Sequence, residues 1–276
     1  MAIARDKFWM FGVRPHQDDT WLMPAVQGTK TEHFYHSRIS PAEGAFILDI
    51  PNMMMIPCDF DPAPFSKNAI GYMESFYPME QVFWGACRMG VYNENDLNFI
   101  LQLAKKYPKL KGVFLDDVSS SLRKIESYEE RCRVCNDLLS RTKQHLAKAG
   151  RPLETTITWY WHEDPLPGML EHVDGFSFWT WDSTELPLLQ QRFECCEEKY
   201  VGKKIYIGIY MYDFKNRKPV PNDLMAYQCS YALELLKAGR IAGIIFEANS
   251  VMGVNLPSER WLREWIKTAK YTEIPD

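Results

Sequence analysis

Short apolar runs alternate with amphipathic stretches from one end of the chain to the other. The runs predict strands at Phe8–Val13, Asn52–Ile56, Gln81–Gly85, Gly112–Leu115, Glu154–Tyr160, Gly175–Trp179, Lys204–Tyr210 and Gly243–Phe246. Strands separated by helical patterns make a parallel sheet, because each return crossover needs a helix. Eight is also the number at which such a sheet closes. The pattern therefore predicts an α/β fold, a single (β/α)8 barrel over residues 1–276. Its working site is expected at the carboxyl ends of the strands.

Helix punctuation agrees. Ser40-Pro41-Ala42-Glu43 reads as a capping box with proline at the first helical position, so a helix runs to about Asp49. Asn93 or Asn95 opens the next, which ends near Tyr107 ahead of Pro108. A long helix covers Ser127 to Ala149 and stops at Gly150; another covers Pro221 to Ala238 and stops at Gly239. Ser258 is expected to cap the last, Glu259 to Lys270. Residues 14–36 and 57–79 lack this regularity and read as long loops, which in a compact domain are usually functional or mobile.

Alternation within each strand assigns side chains to the barrel interior or to the helices. Ile205, Ile207 and Ile209 suit the helices, which turns Tyr206, Gly208, Tyr210 and Tyr212 inward. Thr156, Thr158, Tyr160 and His162 share an inward phase, with Ile157 and Trp159 outside. Phe176 and Phe178 face helices, so Ser177, Trp179 and Trp181 face the axis. Ile245, Glu247 and Asn249 share one phase of the last strand. In Gly112-Val-Phe-Leu-Asp-Asp117 either Phe114 with Asp116, or Val113 with Leu115 and Asp117, could be inside.

Composition narrows the class. The 276 residues are close to the roughly 250 of one such barrel and can bury a core without disulfides or a structural metal. A net charge of -4 with no basic stripe argues against a nucleic-acid partner. No run reaches the roughly 18 apolar residues of a membrane span, and Phe8–Val13 is too short for a secretory segment. A cytoplasmic protein is expected, although removal of an export signal would leave the same sequence. The seven cysteines, an odd count that includes Cys132 and Cys135 within a helical pattern, read as free thiols.

Nearly every strand ends in a charged residue: His16, Asp18 and Asp19, then Asp59, Arg88, Asp116 with Asp117, His162 with Glu163, Asp182, Asp213 and Glu247. That convergence suits glycoside hydrolysis, in which one carboxyl protonates the leaving oxygen and another attacks the sugar or activates water. Asp116 or Asp117 with Glu247 or Asp213 are the candidate catalytic groups; two adjacent residues reach one substrate atom only if the strand bends. Trp179, Trp181, Tyr210 and Tyr212 are candidates for sugar contact, with Asn249 nearby. Arg38 and Arg88 either hold a hydroxyl-rich or anionic ligand or neutralise the aspartates. The substrate is expected to be a small molecule or oligosaccharide, with no cofactor. Two alternatives stand beside this reading. His16 with Asp18, and His162 with Glu163, could serve a metal-dependent sugar isomerase, epimerase or amidohydrolase, though no HxH or HExxH spacing is present. A non-catalytic saccharide-binding barrel is the other.

The runs Lys111-Gly-Val-Phe-Leu-Asp-Asp117, Phe176-Ser-Phe-Trp-Thr-Trp181 and Met211-Tyr-Asp-Phe214 resemble uncharacterised bacterial barrel proteins labelled glycoside-hydrolase-like. Arg14-Pro-His-Gln-Asp-Asp19 and Ser37-Arg-Ile-Ser-Pro-Ala-Glu-Gly-Ala45 extend the resemblance over most of the chain. It implies the fold more firmly than a reaction. The ending of the fourth strand is also similar to that of polygalactosaminidase-like and alpha-galactosidase-like barrels. There a catalytic aspartate occupies this place, which here implies Asp116 or Asp117.

Overall fold

Eight apolar segments pair side by side into a closed, all-parallel barrel. They are β1 (Phe8–Gly12), β2 (Asn52–Met55), β3 (Gln81–Gly85), β4 (Leu110–Leu115), β5 (Glu154–Tyr160), β6 (Gly175–Trp179), β7 (Lys204–Tyr210) and β8 (Gly243–Glu247). The closing seam joins β8 to β1, with Ile244 opposite Phe8 and Glu247 opposite Phe11. The computed structural model describes residues 2–26, 36–161 and 163–275. Helices α1 (Asp19–Val26), α2 (Pro41–Leu48), α3 (Lys67–Ser75), α4 (Glu94–Lys106), α5 (Val118–Leu122), α6 (Tyr128–Leu146), α7 (Leu189–Lys199), α8 (Asn222–Lys237) and α9 (Pro257–Ala269) accompany the strands. Ser40, Asn93 and Ser127 accept main-chain N–H groups at the starts of α2, α4 and α6. At the amino-terminal side, Ala2–Ile3 pairs antiparallel with Glu273–Ile274.

Two cores result from strand alternation. One lies between strands and helices and includes Ile157, Trp159, Phe176, Phe178, Ile205, Ile207 and Ile209, as their phase predicts. The other fills the barrel and includes Trp9, Phe11, Met54, Phe83, Phe114, Trp179, Tyr206 and Ile245. Edge-to-face contacts fix its upper layer, where Phe11 lies 6.2 Å from Phe114 and 5.4 Å from Trp179 between ring centroids. Gly208 makes room for that layer: a β-carbon there would sit 2.0 Å from Cε3 of Trp179. Phe114 in this core resolves the phase of β4 and carries Asp116 inward with it.

Several expectations need correcting. Residues 14–36 and 57–79 are not wholly loop, since α1 and α3 lie within them; Pro24 in one and Gly71 in the other blur the helical pattern. Strand β4 begins two residues early, because Leu110 already pairs with Val82. Ser258 does not cap the last helix: α9 starts at Pro257 after Leu256, and the Ser258 hydroxyl donates to the carbonyl of Met211 at 2.6 Å. Tyr212 does not continue the inward phase of β7. The strand ends at Tyr210, and Tyr212 turns into the outer core, where its hydroxyl donates to the carbonyl of Trp21 at 2.8 Å. The seven cysteines are free thiols. No described helix is long and apolar enough to cross a membrane.

Candidate functional site

Above the Phe11–Phe114–Trp179 layer, a cavity of about 190 Å³ opens at the carboxyl ends of the strands. Its lining includes Asp18, Asp116, Asp117 and Glu247, the rings of Tyr160, Trp179, Trp181 and Tyr210, and no lysine, arginine or histidine among the described residues.

Asp116 follows the inward phase of Phe114. Its Oδ1 accepts the hydroxyl of Thr158 at 2.8 Å. Thr158 in turn accepts from Ser177 at 3.3 Å, and Ser177 accepts the indole N–H of Trp179 at 3.0 Å. Donors from two neighbouring strands, β5 and β6, thus run in one direction toward a single carboxyl. Burial raises Asp116 to about 7, and the charge of Asp117 adds to the rise; the bonds from Thr158 and from the Asp117 main chain oppose it.

Asp117 reaches the same cavity through a bend. Its φ of 50° lies in the left-handed region, where a non-glycine residue is uncommon. This breaks the strict alternation that would send its side chain toward the helices. Its Oδ1 accepts the hydroxyl of Tyr160 at 2.7 Å. Burial comes first, and the Asp117 charge second, in raising that phenol above its usual range.

Glu247 ends β8. Its Oε2 is buried and has no hydrogen-bond partner among the described residues. Burial, followed by the charges of Asp18, Asp116 and Asp117, pushes its carboxyl well above the usual carboxylate range. Across the mouth, Asp18 accepts the hydroxyl of Ser250. Burial raises it to about 6, with that bond opposing the rise and Asp19 and Asp59 adding to it. Tyr210 packs on Trp179 at 5.0 Å, and its phenol is also pushed up by burial and by Glu247. Trp179 is 3% exposed and forms the floor, whereas Trp181 is 38% exposed and stands at the rim, stacked on Phe214 at 5.5 Å.

The other residues singled out in the sequence lie elsewhere. Asp213 is buried beside Ser183 and Asn216, accepting from both. Asn249 is buried in a structural role: its amide holds the main chain of Val13 at 2.9 Å in both directions and the carbonyl of Ile39 at 2.7 Å. Tyr212 belongs to the outer core. Arg38 is exposed. Arg88 lies 4.7 Å over the ring of Phe60 and donates to Pro62, away from the cavity lining. His16 contacts Asp19 and His36 rather than Asp18. His162 lies outside the described residues.

No protein-family model and no curated protein matches the chain. Solved structures do. A glycoside hydrolase family 18 N-acetylglucosaminidase from Paenibacillus barengoltzii aligns at a TM-score of 0.54 and 10% identity, over 95% of this chain and 99% of that one. A β-glucosidase from Exiguobacterium marinum aligns at 0.55 and 9% identity, over 96% and 99%. An α-L-fucosidase isoenzyme 2 from Paenibacillus thiaminolyticus aligns at 0.58 and 9% identity, over 96% and 48%. The likeness is one of fold. These barrel neighbours are glycosidases, and at such identity no residue role passes from them to this chain.

Thr158, Ser177 and Tyr160 escaped selection as site residues, although each donates within the cavity's acid cluster or its hydrogen-bond chain. The signal was present: all three are polar residues in the inward phase of strands β5 and β6, where an apolar side chain would otherwise pack.

Proposed function

We propose that the protein is a glycoside hydrolase in which Glu247 is the general acid and Asp117 its carboxylate partner. One observation carries this reading: four carboxyl groups line a single small cavity with no basic side chain among the described residues of its lining. Like charges so placed cannot all ionise near neutral pH, so the cluster retains protons. Glu247, half-buried with its Oε2 covered and unpartnered among the described residues, is the group best placed to hold one and deliver it to a leaving oxygen. Asp117 takes the role of nucleophile or base, fixed by Tyr160. Asp116 is the positioning residue between them, held by the Thr158–Ser177–Trp179 chain.

The cavity is smaller than the roughly 300–1,000 Å³ of pockets for drug-sized ligands, which suits a single sugar ring. An adjoining groove of about 560 Å³ shares Asp117, Tyr160 and Trp181 with it and continues past Arg192 and Lys215. The rest of a glycoside lies there, with the Trp181 indole at the junction.

A panel of aryl glycosides with good and poor leaving groups tests the assignment. Glu247→Gln is expected to slow turnover of the poor-leaving-group substrate by about 10²–10⁴-fold, and that of a dinitrophenyl glycoside much less, because only the former needs a proton. Asp117→Asn is expected to slow both alike. Wild-type turnover in both variants overturns the reading. Saccharide binding without turnover across the panel replaces it with a binding barrel.

A further inference from the structure

The loop after β1 carries a second constellation outside the cavity lining. His16 Nδ1 lies 2.9 Å from Asp19 Oδ2, and His36 Nδ1 lies 2.6 Å from the same oxygen. The three ligand atoms fall within 4.8 Å of one another. The Asp19 side chain is only 14% exposed, and its Oδ1 is buried without a hydrogen-bond partner among the described residues. The two imidazoles are 41% and 55% exposed, so an ion could enter from solvent and keep a water.

From this arrangement we infer that His16, Asp19 and His36 form a binding site for a first-row divalent transition ion of the zinc type. Two imidazole nitrogens and one carboxylate oxygen are the N/O donor set such ions take, with a fourth position left to water. Calcium and magnesium prefer sites richer in oxygen. Without an ion both rings can donate Nδ1–H to one carboxylate oxygen. On binding, each neutral ring carries its proton on Nε2 instead, and Nδ1 and Oδ2 turn their lone pairs to the metal, so no net proton is lost. The backbone already brings the parts together: His16 N–H donates to the carbonyl of Ser37 at 3.0 Å, and His16 itself is held at a φ of 67°. The ion would tie the loop after β1 to the segment that enters α2. Gln17 and Asp18, which lie between two of its ligands, line the mouth, so the ion would brace that wall. This site is distinct from the carboxyl pair assigned to hydrolysis and does not depend on it.

Chelator-treated full-length protein titrated with ZnCl2 by calorimetry, and with CoCl2 by visible absorption, tests the inference. One ion per chain, a four-coordinate cobalt spectrum and a rise in Tm with zinc are expected. His16→Ala and His36→Ala should each weaken binding at least tenfold and abolish the Tm rise, whereas His172→Ala should do neither. Asp19→Asn retains an oxygen acceptor for both rings but loses the charge; it should fold as the parent does and still lose the ion. Absence of binding in the parent, or undiminished binding in the folded Asp19→Asn protein and both histidine variants, overturns the site.

Discussion

Asp213 follows β7 and Glu247 ends the neighbouring β8; the first is buried, the second half-buried with one oxygen covered, and their surroundings differ completely. Asp213 is 1% exposed and accepts the main-chain N–H and hydroxyl of Ser183 together with the main-chain N–H and side-chain amide of Asn216. Glu247 has an oxygen with no donor among the described residues and three other carboxyls around it. A buried acid encircled by donors has its charge already compensated and anchors the chain. An acid among acids is held toward its protonated form, as the role proposed for Glu247 requires. The hydrogen-bond inventory separates their chemistry.

Removing the anchor gives the largest expected change in stability. Asp213→Ala leaves the donors of Ser183 and Asn216 without their acceptor, and a loss of about 3–5 kcal/mol in a urea melt is expected. A loss below about 1 kcal/mol would remove the contrast with Glu247.

The floor of the mouth is the next point of attack. Gly208→Ala places a methyl group against the Trp179 indole, and about 1–3 kcal/mol of overpacking is expected. The same shift should break the indole bond to Ser177 and show as a change in tryptophan emission. Unchanged emission would mean that Trp179 is not held where the Asp116 chain requires it.

The smallest effect is electrostatic, and its sign is fixed. Asp116 titrates at about 7 in the fold against an ordinary 3.8, so the folded protein holds this proton more tightly than the unfolded chain. Its contribution is therefore greatest below the ordinary value and is lost as pH rises from about 4 to about 7. Asp116→Asn should gain roughly 1–2 kcal/mol on the parent above pH 7, less than the full linkage value because neighbouring carboxyls share the proton, and little at pH 4. Thermal melts at both pH values check it. A penalty that is the same at both would place the residue with Asp213 rather than with Glu247.

The barrel was legible because each strand is a short apolar run bounded by helix caps, and Ile205-Tyr206-Ile207-Gly208-Ile209 alone specifies which face meets the axis. Asp18, Asp116, Asp117, Glu247, Trp179, Trp181 and Tyr210 were recognised from their positions at strand ends, and the fold brings them to one cavity. Phase failed where the strand stopped. Tyr212 and Asn249 lie two residues beyond β7 and β8, outside the barrel ladder, so its alternation no longer governs them. At Asp116 and Asp117 periodicity left two phases open, and a left-handed backbone at Asp117 brings both carboxyls to the cavity. The partnership of His16 with Asp19 and His36 depends on chain segments twenty residues apart meeting in space, and local spacing carries no trace of it.

The short antiparallel pair of Ala2–Ile3 with Glu273–Ile274 lies by Lys7, Gln81, Lys111 and Lys204, at the strands' amino-terminal ends and so opposite the acidic cavity. A tether joined at either of these segments would hold the molecule base-down on a bead or electrode, its opening toward the bulk phase.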